Sequence, residues 1–148
     1  MLCCSSQVDL RGAQNRTALH RAISSGTSAS ALVSLLLARG ADPSLRDTGG
    51  LTPLHWAAAF GLTDPATQLL NAKAEVDATT NSGETALHLA AEKGHIDVVN
   101  LLLDQGADRT IRDKTSEAAT PFMAAKKGGN PECIRALKVG TGPCCIVM

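Results

Sequence analysis

One feature constrains the fold of this chain more than any other: a short motif returns four times at almost constant spacing. Thr17-Ala18-Leu19-His20-Arg21-Ala22, Thr52-Pro53-Leu54-His55-Trp56-Ala57, Thr85-Ala86-Leu87-His88-Leu89-Ala90 and Thr120-Pro121-Phe122-Met123-Ala124-Ala125 align without gaps. The leading threonines are 35, 33 and 35 residues apart. A period in this range marks a solenoid of stacked units, each too small to bury its own apolar face. Nine residues after each threonine stands a glycine: Gly26, Gly61, Gly94 and Gly129. A second apolar stretch follows each glycine, at 32–37, 66–70, 98–103 and 133–137. Each unit therefore reads as two helices joined by a tight turn.

Local chemistry agrees. A threonine ahead of an apolar run is a helix N-cap, and Pro53 and Pro121 follow at the first helical position, where a missing N–H does no harm. Asp64-Pro65 and Asn130-Pro131 repeat that cap-plus-proline signal before the second helices of units two and four. Gly40 and Gly106 suit the left-handed position that closes a helix, and Lys73 stands where unit two should have its glycine. Asp47-Thr48-Gly49-Gly50 and Asn81-Ser82-Gly83 supply turns between units. Aromatic residues make up only 2% of the chain, against 44% hydrophobic overall, which favours close-packed helices over sheets. Unit four has two extra residues between Asp113 and Thr120, a methionine in place of histidine, and a second helix expected to be short, as befits a terminal unit.

These motifs, recurring in one order over roughly residues 8 to 138, resemble the ankyrin repeat, and Gly83 to Asp108 comes near the family consensus. The resemblance implies an all-α solenoid of four helix-turn-helix repeats with short β-turn finger loops. Expected repeats are 14–46, 47–79, 80–112 and 113–138, flanked by tails at 1–7 and 139–148. It also implies a function: binding a protein partner on the finger tips and on the concave face of the first helices. The positions after the histidine, Arg21, Trp56, Leu89 and Ala124, are expected on that face. Ser24-Ser25, Ala59-Phe60, Glu92-Lys93 and Lys127-Gly128 are expected further out. Trp56, Phe60 and Leu89 would form a central apolar patch, of the kind that anchors interfaces. The competing reading folds Trp56 over a neighbouring repeat as local packing. Arg46, Asp47, Thr80, Asn81, Arg112, Asp113 and Lys114 at the tips are expected to add polar contacts.

Other functions find little footing. Fourteen basic and fourteen acidic residues leave no net charge to hold a nucleic acid. His20, His55 and His88 invite a metal, but equivalent repeat positions lie in successive layers about 10 Å apart and do not converge on one ion. The family uses this histidine to hold the adjoining turn. No nucleophile–base pair or phosphate loop is evident, so no enzymatic activity and no cofactor are expected.

The tails carry four of the five cysteines. Cys145-Ile146-Val147-Met148 matches the C-a-a-X prenylation box, with a terminal Met that favours farnesyl. A single prenyl chain holds weakly, which makes Cys144 the candidate for a second, palmitoyl anchor, with Cys3 and Cys4 as further acylation candidates. Lys126, Lys127, Arg135 and Lys138 are too scattered in sequence for a polybasic patch. With no signal peptide and no run near the roughly 20 apolar residues of a membrane span, a cytosolic chain is expected, held on the cytosolic face of a membrane by lipid. The alternative is a soluble binding or inhibitory module with an unmodified tail.

Overall fold

Among the described residues, eight α-helices pair into four hairpins. They are α1 (Ala18–Ser24), α2 (Ala29–Ala38), α3 (Pro53–Phe60), α4 (Thr63–Asn71), α5 (Ala86–Lys93), α6 (Ile96–Asp104), α7 (Pro121–Gly128) and α8 (Pro131–Val139). The computed structural model describes residues 8–26 and 28–139, and the described residues contain no strand. A short 3-10 turn, Ala13–Asn15, precedes the first hairpin. First helices stack on first helices and second helices on second helices, so two layers run the length of the solenoid. The layers close on small residues: Ala57, Ala58, Ala90, Ala91 and Ala125 are fully buried and let backbones approach. Leu19, Ile23, Val33, Leu54, Leu69, Leu87, Val98, Val99 and Leu102 fill the space between layers.

Each first helix begins the same way. Thr52 and Thr85 accept the amide of the residue three on, His55 and His88, while the histidine Nδ1 accepts the threonine amide in return, at 3.0 and 3.1 Å. This is a capping box in which imidazole takes the role usually given to Glu or Gln. Thr17 and His20 repeat the return bond at 3.1 Å. Thr120 accepts the Met123 amide, so the fourth repeat keeps the cap and lacks its reciprocal half.

The first helices end on left-handed glycines, and the next repeat explains why two of them admit no side chain. A Cβ on Gly61 would lie 2.5 Å from the ring of His95, and one on Gly94 would lie 2.6 Å from the Asn130 amide. Lys73 adopts the expected left-handed backbone, with φ 70°, at the position of Gly40 (φ 87°) and Gly106 (φ 84°).

Two local expectations are corrected. Asp64 does not cap α4: the helix starts at Thr63 with Leu62 as N-cap, which puts Asp64 and Pro65 inside the first turn. Helix α8 is not short; at nine residues it equals α4 and α6. Asn130 turns its side chain away from α8, and its amide donates to the Ala91 and Glu92 carbonyls at the end of α5, at 3.1 and 2.9 Å.

Candidate partner-binding face

The finger turns form a continuous ladder before any partner is considered. In each finger a buried or half-buried acceptor ties down the loop. Asp47 Oδ1 accepts the Gly49 and Leu51 amides, Thr80 Oγ1 accepts the Glu84 amide, and Asp113 Oδ1 accepts the Thr115 and Ala119 amides. Neighbouring fingers join through their backbones: the Thr48 amide donates to Gln14, Asn81 to Gly49 and Lys114 to Ser82. Below this ladder each histidine reaches forward. The second ring nitrogens of His20, His55 and His88 lie 2.9, 3.2 and 3.0 Å from the carbonyls of Leu51, Glu84 and Ala119, all in the next repeat. Since Nδ1 accepts a backbone N–H, the network assigns the proton to Nε2, which donates. The histidines are therefore braces between repeats.

Burial sets their electrostatics. Desolvation pulls the His55 pKa down to about 4, outweighing the hydrogen bond to Glu84 that opposes it. His20 is lowered for the same leading reason. Asp113 moves against its own desolvation: bonds from Thr115 and the Ala119 amide bring it below the usual carboxylate range. The Cys133 thiol is buried and its pKa is raised, chiefly by desolvation, so it stays protonated.

Trp56 belongs to both worlds. It is only half-buried, yet its indole N–H donates to Asp47 Oδ2 at 3.1 Å. The Arg16 guanidinium sits 4.4 Å from its ring centroid, and His20 meets it edge-on at 6.4 Å. Its environment thus ties repeat one to repeat two. Phe60, one turn further along α3, lies 5.7 Å from the Trp56 ring and is 50% exposed. Leu89 is half-buried at the position equivalent to Trp56, and Lys93, equivalent to Phe60, is exposed. Arg21 is exposed and Glu92 half-buried. Ala124 is a correction: it is only 8% exposed, a small side chain among Glu84, His88 and Glu92 of repeat three, with which it lines one hollow. Met123 is exposed in its place and lines the same hollow with Glu84, Glu92, Glu117 and Lys127 beneath the enlarged fourth finger.

At the tips, Arg46, Asn81, Arg112 and Lys114 are exposed. Arg46 already donates to the Thr79 carbonyl and Asn81 to that of Thr48. Asp47 and Thr80 are corrections: both are buried, and their side chains hold the turns instead of facing solvent. His95 was not singled out in the sequence and Asn130 was read there only as a cap for the helix that follows, yet both reach back to carbonyls of the preceding repeat's first helix; His95 Nε2 lies 3.1 Å from Ala59 O. Their shared position, one residue after Gly94 and Gly129, was the available signal. The lipidation candidates Cys3, Cys4, Cys144 and Cys145 lie outside the described residues.

Comparison with known proteins follows the repeats. A family model described as ankyrin repeats (3 copies) matches residues 19–113. The chain is 43% identical over 67 residues to human protein phosphatase 1 regulatory subunit 27, covering 45% of this chain and 42% of that protein. The mouse protein of the same name is 42% identical over 67 residues. The ADP-ribosylation factor GTPase-activating protein AGD2 of Arabidopsis thaliana is 41% identical over 76 residues, which are 51% of this chain and 10% of that one. The chain thus spans less than half the length of the curated relatives it matches.

Proposed function

Because this chain belongs to the ankyrin-repeat family, we propose that it is a protein-interaction module whose first-helix face receives one protein partner and whose tail tethers it to a membrane. Family membership and a relative named as a regulatory subunit point to a module that works by binding rather than by catalysis. The observation that carries the partner site is Phe60. A large apolar ring stands half out in solvent at the centre of the stack, backed by Trp56, whose own contacts hold it still. Rigid, partly exposed aromatics of this kind anchor interfaces, since little side-chain freedom remains to be lost. Leu89 extends the apolar patch by one repeat. Arg21, Glu92 and Lys93 give it a polar border, and Arg46, Asn81, Arg112 and Lys114 offer contacts at the tips. Protein phosphatase 1 regulatory subunit 27 supports a partner that is itself regulated by binding.

The tether is a farnesyl group on Cys145, with palmitate on Cys144 as the second anchor that stable membrane residence requires. Cys3 and Cys4 are subsidiary acylation sites. No helix among the described residues is long and apolar enough to cross a membrane. The second reading is a soluble binding or inhibitory module with an unmodified tail; the family match, lying wholly within residues 19–113, fits it equally.

Proximity labelling in the protein's own cell, with wild type beside Phe60→Asp and Leu89→Asp, tests the partner site. A specific protein should be labelled by the wild type and lost from both variants while their helical circular dichroism is kept. Labelling that both variants retain would place the partner elsewhere. Mass spectrometry of the C-terminal peptide decides between the two readings of the tail.

A further inference from the structure

The carboxyl-terminal end of the stack has a chemistry that the sequence scatters. Repeat four buries α7 and α8 against repeat three, and beside them opens a hollow of about 430 Å³ floored by Phe122 and Leu137. Thr110, Thr120 and three cations, Arg109, Arg112 and Lys138, complete its lining, which among the described residues includes no carboxylate. A fourth cation, the Lys126 ammonium, stands 4.9 Å from the centroid of the Phe122 ring. The four come from three segments: the approach to the fourth finger, α7 and α8. No polybasic run is visible in the sequence for that reason, and the fold assembles one. Arg109 adds an independent sign. Its Nη1 is shielded from solvent and has no hydrogen-bond acceptor, which is costly for a charged donor unless an anionic oxygen comes to it.

We propose that this end face docks on the anionic surface of a membrane, with Arg109, Arg112 and Lys126 on headgroup phosphates and Phe122 at the level of the headgroups. Charge complementarity selects an anionic occupant, and the position of the face in the chain selects the membrane. Helix α8 ends at Val139, so a lipid on Cys145 is fastened within about 20 Å of the hollow, the reach of six extended residues. The proposal rests on the tethering reading for what brings the face to the bilayer, but its chemistry is measurable without any lipid on the protein. An acidic peptide would need similar cations; it is favoured less because nothing delivers it to this end of the stack.

The test uses the full chain produced without lipidation and vesicles of phosphatidylcholine alone or with phosphatidylserine. Sedimentation with the anionic vesicles only, weakening as salt rises, is expected. Each cation near such a surface strengthens binding about five-fold, so Arg112→Glu combined with Lys126→Glu should weaken it by at least about 25-fold. A control pair with the same charge change at the opposite end, Arg11→Glu with Arg39→Glu, should keep most of the binding, and circular dichroism confirms that every variant is folded. Equal sedimentation with neutral vesicles, none with anionic ones, or an equal loss in the control pair overturns the proposal. So does displacement by a glutamate-rich peptide that binds the face more tightly than the vesicles do. An unmodified Cys145 in cells would overturn the tether and leave the vesicle result to stand or fall separately.

Discussion

Acid should loosen this stack well before its carboxylates titrate, and His55 is the reason. Its Nδ1 accepts the Thr52 amide at 3.0 Å, so a proton added there would point at a donor that cannot turn away. Its Nε2 is already engaged with the Glu84 carbonyl, and burial removes the water that would solvate the new charge. Folding therefore lowers the pKa from 6.5 to about 4. Between these values the unfolded chain binds the proton and the folded one does not. Stability from this group is thus complete above about pH 6.5 and is lost as the pH falls toward 4. The full difference corresponds to about 3 kcal/mol, and roughly 2 kcal/mol of it should be gone at pH 5. His20, lowered in the same direction, adds to the loss. Asp113 and Asp108, depressed below the carboxylate range, contribute only at more acid pH, as it falls below about 4, so the windows separate. Urea unfolding at steps from pH 7.5 to 4.5, followed by Trp56 fluorescence, measures the slope. His55→Gln should lower stability throughout and flatten the dependence between pH 6.5 and 4.5. An unchanged slope in that variant, or a His55 resonance titrating near 6.5 in the folded protein, would refute the reasoning.

Leu102, fully buried in α6, should cost about 2–5 kcal/mol when cut to alanine, a large part of a small domain's stability, read as a shift in urea midpoint at constant slope. Lys73→Gly relieves a left-handed backbone strained by its Cβ and should raise stability by up to about 1 kcal/mol; a loss on thermal unfolding would show that the lysine side chain contributes more than the strain costs. Phe60→Asp should change the unfolding free energy by less than about 1 kcal/mol, since half the ring is already in water, while abolishing partner capture. Cys145→Ser should move the protein from the membrane fraction to the cytosol, and Cys144→Ser should do so only in part, because one lipid gives reversible binding and two give stable residence.

What the sequence made legible follows rules of short range. A threonine three residues before a histidine, a glycine that must be left-handed and a pair of alanines at a helix crossing are each decided within a few residues, and the period then multiplies them. Phe60 and Leu89 were legible on the candidate face through register alone. Trp56 was not settled by register, because its environment comes from Arg16, forty residues earlier in the chain, and from the finger residue Asp47. Asp47 and Thr80 look like solvent-facing tips until the amides they accept are known. Asn130 is ambiguous in sequence: the same residue before a proline caps the helix that follows or the one behind, and the packing of Gly94 against it decides. The cations of the end face are separated by up to 29 positions, Arg109 to Lys138, and only the stacking of α7 and α8 collects them.

The forward reach of the histidines gives the solenoid a direction, like a polymer grown head to tail. Every unit with an imidazole holds out a donor that only its successor can accept: His20 to Leu51, His55 to Glu84, His88 to Ala119. At the fourth unit the bearer of that donor is replaced by Met123, whose thioether asks nothing of a neighbour. The fourth unit thus holds out no such bond to whatever packs beyond it, and Met123→His is the change that would supply one.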